Sequence, residues 1–117
     1  MIKVTLTNPP VLNKIYRIAG SRMYKTQEAK EWQEESAWIM GSNVPPFNGM
    51  VKVSIKQYPP DKRRRDTDGI EKLLFDAIED SGLIENDYQI KKHTTERMEC
   101  DKENPRLEVV IKELNEK

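Results

Sequence analysis

Ile2 to Leu6 alternates apolar and polar side chains, with Ile2, Val4 and Leu6 set against Lys3 and Thr5. A period of two predicts a strand with one buried face. Asn8-Pro9-Pro10 then stops it, since proline cannot donate to a ladder. Residues 11–24 show no period and are polar and basic, with Gly20-Ser21 near the middle, so they read as a connection. A long ordered loop in so short a chain is usually functional. A helix follows. Thr26 suits its N-cap, Glu28 lies in the first turn, and Ala29, Trp32, Ser36 and Ile39 share one face. It should end at Gly41, ahead of a turn-rich linker over residues 43–49.

Val51, Val53 and Ile55 restore the alternation, predicting a second strand that stops before Pro59-Pro60. The best-defined helix comes next. Ile70, Leu73, Leu74, Ala77 and Ile78 fall on one stripe, at i, i+3, i+4, i+7 and i+8. Asp68 with Glu71 resembles a capping box, and Gly82 stands where a C-terminal cap belongs. Residues 88–98 read as a strand, exposed because of Lys91-Lys92-His93. Asn104-Pro105 turns the chain into a last strand through Leu107, Val109 and Ile111. The order β-α-β-α-β-β predicts an α/β (α+β) fold, a small mixed β-sheet of about four strands with two main helices. Residues 1–117 should form one domain.

Composition sharpens this picture. Hydrophobic residues make up 36% and charged residues 34%, so the core is modest and oligomerisation is one remedy. No run approaches the roughly 18 apolar residues that span a bilayer, and the first residues are too polar for a signal peptide. With one cysteine, Cys100, no intrachain disulfide can form. These features suggest a cytoplasmic protein with no membrane partner. The net charge of zero hides an asymmetry. Residues 1–65 hold 12 Lys or Arg against 5 Asp or Glu, a balance of +7, and residues 66–117 hold 8 against 15, a balance of −7. Such a split fits a polyanion-binding face, or simply solvated charge.

The chemistry concentrates in Asp61-Lys62-Arg63-Arg64-Arg65-Asp66-Thr67-Asp68. Four consecutive cations before a helix can bind phosphates, arginine bidentately. Asp66 and Asp68 follow at once, and carboxylate oxygens can hold Mg²⁺, which typically takes only one or two carboxylates and keeps its waters. Acids at a helix N-terminus are also favoured by roughly 0.3–1 kcal/mol with no metal at all. A cap alone does not account for the cationic run. Asp87, beyond the apolar turn Gly82-Leu83-Ile84, is the candidate third carboxylate, although taken alone it reads as a surface acid. Lys72, one turn past Asp68, could steady a phosphate, or could pair with Asp76 at i+4. His93 and Cys100 lack the second pair that structural zinc requires. Trp32 and Trp38 suit core or dimer contacts. Tyr16 and Tyr24 in the basic connection could stack on unpaired bases, although packing is the commoner fate of tyrosine.

Taken together, Arg63-Arg64-Arg65-Asp66-Thr67-Asp68, Lys72, Phe75-Asp76-Ala77, Gly82-Leu83-Ile84 and Asp87-Tyr88-Gln89-Ile90 resemble the RusA family of Holliday junction resolvases. The likeness extends to Pro9-Pro10, Asn13, Tyr16 and Arg17, and to the closing strand before Glu113. It implies a homodimeric, phage- or prophage-encoded endodeoxyribonuclease that resolves four-way junction DNA by paired symmetric cuts in recombination and repair. It also implies that Asp66, Asp68 and Asp87 are the catalytic carboxylates that bind Mg²⁺, with Mn²⁺ as a substitute, and that Lys72 is a catalytic-site lysine. Lys62, Arg63, Arg64 and Arg65, with Asn13, Lys14, Tyr16 and Arg17, would contact DNA. The chain departs from the pattern at Gly69, where Asn is common, and at Asn86, where a second acid is common. A non-catalytic DNA-binding accessory protein and a general branched or duplex DNA nuclease are the rival readings.

One geometric question follows. From Asp68 a helix to Ser81 carries the chain about 20 Å, and six extended residues to Asp87 recover at most about 20 Å. A site within one subunit therefore predicts that the strand from residue 88 runs antiparallel to the strand at 51–57. A parallel arrangement would put Asp87 at the far end, serving the partner subunit.

Overall fold

The computed structural model describes residues 1–10, 16–41, 44–62 and 68–114, with backbone alone at Tyr16, Arg17, Asp68 and Gly69. Six strands and two helices are defined among them. They are β1 (Ile2–Thr7), β2 (Tyr16–Ala19), β3 (Arg22–Lys25), α1 (Gln27–Gly41), β4 (Val51–Tyr58), α2 (Asp68–Asp80), β5 (Ile90–Arg97) and β6 (Arg106–Glu113). A 3₁₀ turn, Asp87–Gln89, precedes β5. Four strands form a mixed sheet in the order β1-β6-β4-β5, and β2 pairs only with β3. The α+β fold expected from the sequence is therefore present, with a hairpin added.

Alternation decides which face of the sheet is covered. Leu6, Val51, Val53, Ile55, Leu107, Val109 and Ile111 are buried in one cluster with Trp32, Met40, Leu73, Leu74 and Ile78 of the helices. Burying a side chain of this kind is worth roughly 1.5–3 kcal/mol, so this single face holds most of the apolar stabilisation. The opposite face carries lysines, Ser54 and Glu108 and, among the described residues, no helix. Thr26 caps α1 as expected, its Oγ1 accepting from the Ala29 N–H at 3.2 Å. Trp32 is buried and donates its indole N–H to the Thr7 carbonyl at 2.8 Å, tying α1 to β1. Gly82 ends α2 with φ +84° and its N–H on the Glu79 carbonyl, a left-handed cap that glycine reaches without a Cβ clash.

Three expectations are corrected. Residues 16–25 are a β-hairpin turning at Gly20-Ser21, where the sequence suggested a connection. Its apolar pair, Ile18 and Met23, is exposed, so burial imposes no period on the segment. On α1 the buried face is Ala29, Trp32, Ser36, Ala37 and Met40. Ile39 turns outward, and Trp38, 76% exposed, is not in the core. Finally, β5 runs parallel to β4, Val53 beside His93 and Gln57 beside Arg97, not antiparallel. A helix between two neighbouring strands gives the length a parallel crossover needs, and β6 already occupies the antiparallel position beside β4.

Candidate active site

Helix α2 and the turn before β5 build a cleft of about 280 Å³ lined by Glu71, Lys72, Phe75, Asp76, Asp87 and His93. Lys72 is one turn, about 6 Å, along α2 from Asp68. Asp87 is placed by its own turn. Asn86 Oδ1 accepts from the Tyr88 N–H at 2.8 Å, and the Gln89 side-chain amide donates to the Phe47 and Gly49 carbonyls at 3.2 and 3.0 Å. Leu83 and Ile84 anchor the approach, both buried. Parallel pairing thus leaves Asp87 in the same cleft as Lys72, because the 3₁₀ turn packs on α2 before β5 begins. The Asp87 carboxylate is exposed and makes no hydrogen bond or ion pair to a described residue.

Glu71 and His93, read from the sequence only as a capping-box acid and as an unsupported zinc ligand, both line the cleft. His93 Nδ1 stands 2.6 Å from Glu71 Oε2, and the His93 ring meets Phe75 edge-on with centroids 5.1 Å apart. Glu71 therefore turns to β5, where a capping box would have turned it to the start of its own helix. Asp76 Oδ2 accepts from Lys25 Nζ at 2.6 Å, and Lys25 also donates to Gln33 Oε1 at 2.6 Å. This joins the base of the hairpin to the cleft wall. No spacing rule reveals the Glu71–His93 or Lys25–Asp76 contact, since each links residues more than twenty positions apart.

Of the expected DNA-contacting residues, Lys62 is exposed just past β4. Tyr16 and Arg17 lie in β2 beside that cleft-linked hairpin base, paired with Lys25 and Tyr24. Asn13, Lys14, Arg63, Arg64, Arg65 and Asp66 lie outside the described residues, as does the Asp68 side chain. Among the described residues no three His, Cys, Asp or Glu side chains are grouped to hold a metal ion. Asp87 is the one expected ligand whose side chain is described. A larger hollow of about 490 Å³ lies between the C-terminal ends of α1 and α2, against Trp38 and Ser81. It contains none of the expected residues, so size does not mark the chemistry here. No described helix is long and apolar enough to cross a membrane.

An α+β fold with an acid-and-lysine cleft at the edge of a mixed sheet can frame phosphodiester chemistry, and the chain is similar to proteins named for cutting DNA. The family model for endodeoxyribonuclease RusA matches residues 7–112. The crossover junction endodeoxyribonuclease of Enterobacteria phage 82 is 34% identical over 95% of this chain and 93% of its own. Its counterpart in Escherichia coli K12 is 32% identical over the same shares, and that of Aquifex aeolicus is 30% identical over 88% and 81%. This chain belongs to the RusA family of endodeoxyribonucleases.

Proposed function

We propose that the protein is a Holliday junction resolvase, a divalent-metal-dependent endodeoxyribonuclease that makes paired cuts in four-way DNA. The observation that carries this reading is the meeting of Asp87 with Lys72 in one cleft, one helical turn from Asp68, in a chain whose relatives are named for cutting crossover junctions. Asp66, Asp68 and Asp87 would hold Mg²⁺ or Mn²⁺. The exposed Asp87 carboxylate, which engages no described residue, is the hard oxygen donor such an ion prefers. When bound, the ion supplies Lewis-acid activation of the phosphate and of water.

The chain's own residues do the rest. Lys72 places an ammonium where charge develops on the phosphate oxygens. Lys62 and Arg63, Arg64 and Arg65 hold the backbone without reading sequence. Asn13, Lys14, Tyr16 and Arg17 add to that contact, Tyr16 and Arg17 from β2 of the hairpin whose base is tied to α2 by Lys25. A four-way junction needs two related cuts, and a homodimer supplies two related sites. The cytoplasm of a bacterial host carrying the gene on a phage or prophage is the setting that fits.

Labelled four-way junction and linear duplex, each incubated with Mg²⁺ or with EDTA, test this. Cutting of the junction alone, and only with Mg²⁺, is the expected result. Binding without cutting would favour an accessory protein, and equal cutting of both substrates a general nuclease.

A further inference from the structure

The sheet face turned away from both helices carries a charge pattern that the cleft does not use. Lys52 of β4 pairs with Lys112 of β6 on one side and with Lys92 of β5 on the other. Neighbouring strands lie about 4.8 Å apart, so three lysine stems stand in a row about 10 Å long. Like charges directly opposite one another destabilise a sheet. Four residues further along β4 the same strands avoid this, since Lys56 lies between Glu108 and Glu96. The lysine row is therefore not a general feature of this face. None of the three side chains makes an ion pair or hydrogen bond with a described residue. Lys3, paired with Val110 beside the row, adds a fourth cation.

We propose that this lysine row is a second DNA-contact surface, which takes the phosphate backbone of a duplex arm as it leaves the cleft. The inference rests on the reading of DNA as the substrate. Two observations favour DNA over a second copy of the chain. A two-fold interface centred on the row would set lysines against lysines. Lys92 also belongs to the edge strand whose preceding turn holds Asp87, so a backbone rounding that edge passes from the cleft to the row. Three ammonium groups on four-carbon stems suit phosphates as point charges and impose no base preference.

The test compares wild type with the triple variant Lys52→Gln, Lys92→Gln, Lys112→Gln, measuring affinity for four-way junction and linear duplex across salt concentrations in EDTA. Counterion release predicts that the slope of log K against log salt falls by up to about 2.7, at about 0.9 per lost contact, and equally on both DNAs. Cleavage at saturating DNA with Mg²⁺ should be unchanged, and the triple Lys→Arg variant should keep the wild-type slope. An unchanged slope in a Gln variant with a normal thermal melt overturns the proposal. So does a change in sedimentation mass, which would make the row an interface between copies. A wild-type protein that neither binds nor cuts DNA would instead remove the underlying functional reading, and this inference with it.

Discussion

Lys25 Nζ lies 2.6 Å from Asp76 Oδ2, and this contact fastens the N-terminal hairpin to the helix that forms one wall of the cleft. A two-stranded hairpin is marginally stable by itself, and here Ile18 and Met23 near its tip are exposed. Its orientation therefore depends on its base. Both partners are about a quarter exposed, 23% and 29%, so solvent screens the pair only in part.

A double-mutant cycle with Lys25→Met and Asp76→Asn should give a coupling of about 0.5–1 kcal/mol in urea unfolding. Both single variants should bind four-way DNA more weakly, through a hairpin held less firmly. Zero coupling would mean that the contact does not orient the hairpin.

Asp66→Asn, Asp68→Asn and Asp87→Asn are each expected to abolish cleavage while leaving DNA binding intact or tighter, because a negative charge facing phosphates is lost. A melt must accompany the Asp68 variant, since losing a helix-start acid can itself cost about 1 kcal/mol. The position of Asp87 beside Lys72 predicts more. Heterodimers formed from Asp66→Asn and Asp87→Asn chains should stay inactive, as each subunit then carries one broken site. Recovery of single-strand nicking would show that Asp87 serves its partner.

Much of this fold could be read from the chain because one covered sheet face imposes a period. β1, β4, β6 and the apolar stripe of α2 all appear in the alternation. The hairpin does not, since its apolar side chains point outward and no burial marks its register. Parallel pairing of β4 with β5 was also hidden, being a property of which strands meet rather than of any one strand. In the cleft, Lys72 and Asp87 were named through the family resemblance, since residue type and spacing alone left each open to a surface role, whereas Glu71 and His93 meet only through the crossing of α2 over β5.

Gln57 offers a separate test. The residue is 1% exposed, and neither its amide nitrogen nor its oxygen has a partner among the described residues. A buried polar group without a hydrogen bond costs about 1–3 kcal/mol. Gln57→Met keeps the shape and removes that cost, so stability should rise by about 1 kcal/mol in equilibrium unfolding. A loss of stability would show that the amide is satisfied in solution.

The turn between β5 and β6 predicts a pH dependence. Asp101 accepts from the Asn104 N–H and from Arg106, and these contacts, the backbone one first, hold its carboxyl below the ordinary 3.8. A depressed pKa contributes stability that is full above the unfolded value and lost as pH falls through the lower folded value. The gap in melting temperature between wild type and Asp101→Asn should therefore be constant at neutral pH and shrink below about pH 4. A gap that persists in acid would assign the effect to shape instead of charge.

The sheet order β1-β6-β4-β5 places β6 between the first strand made and the two that come later. During synthesis β1 has no neighbour, and β4 and β5 can join each other but not β1, until residues 106–113 arrive. Val109 bridges Val4 on one side and Ile55 on the other, so one late segment unites two halves that cannot otherwise meet. A ribosome stalled before that point would present an open sheet edge and an unfinished core together. Such a nascent chain is a target for chaperones, and the four-stranded sheet is assembled only once β6 has been translated.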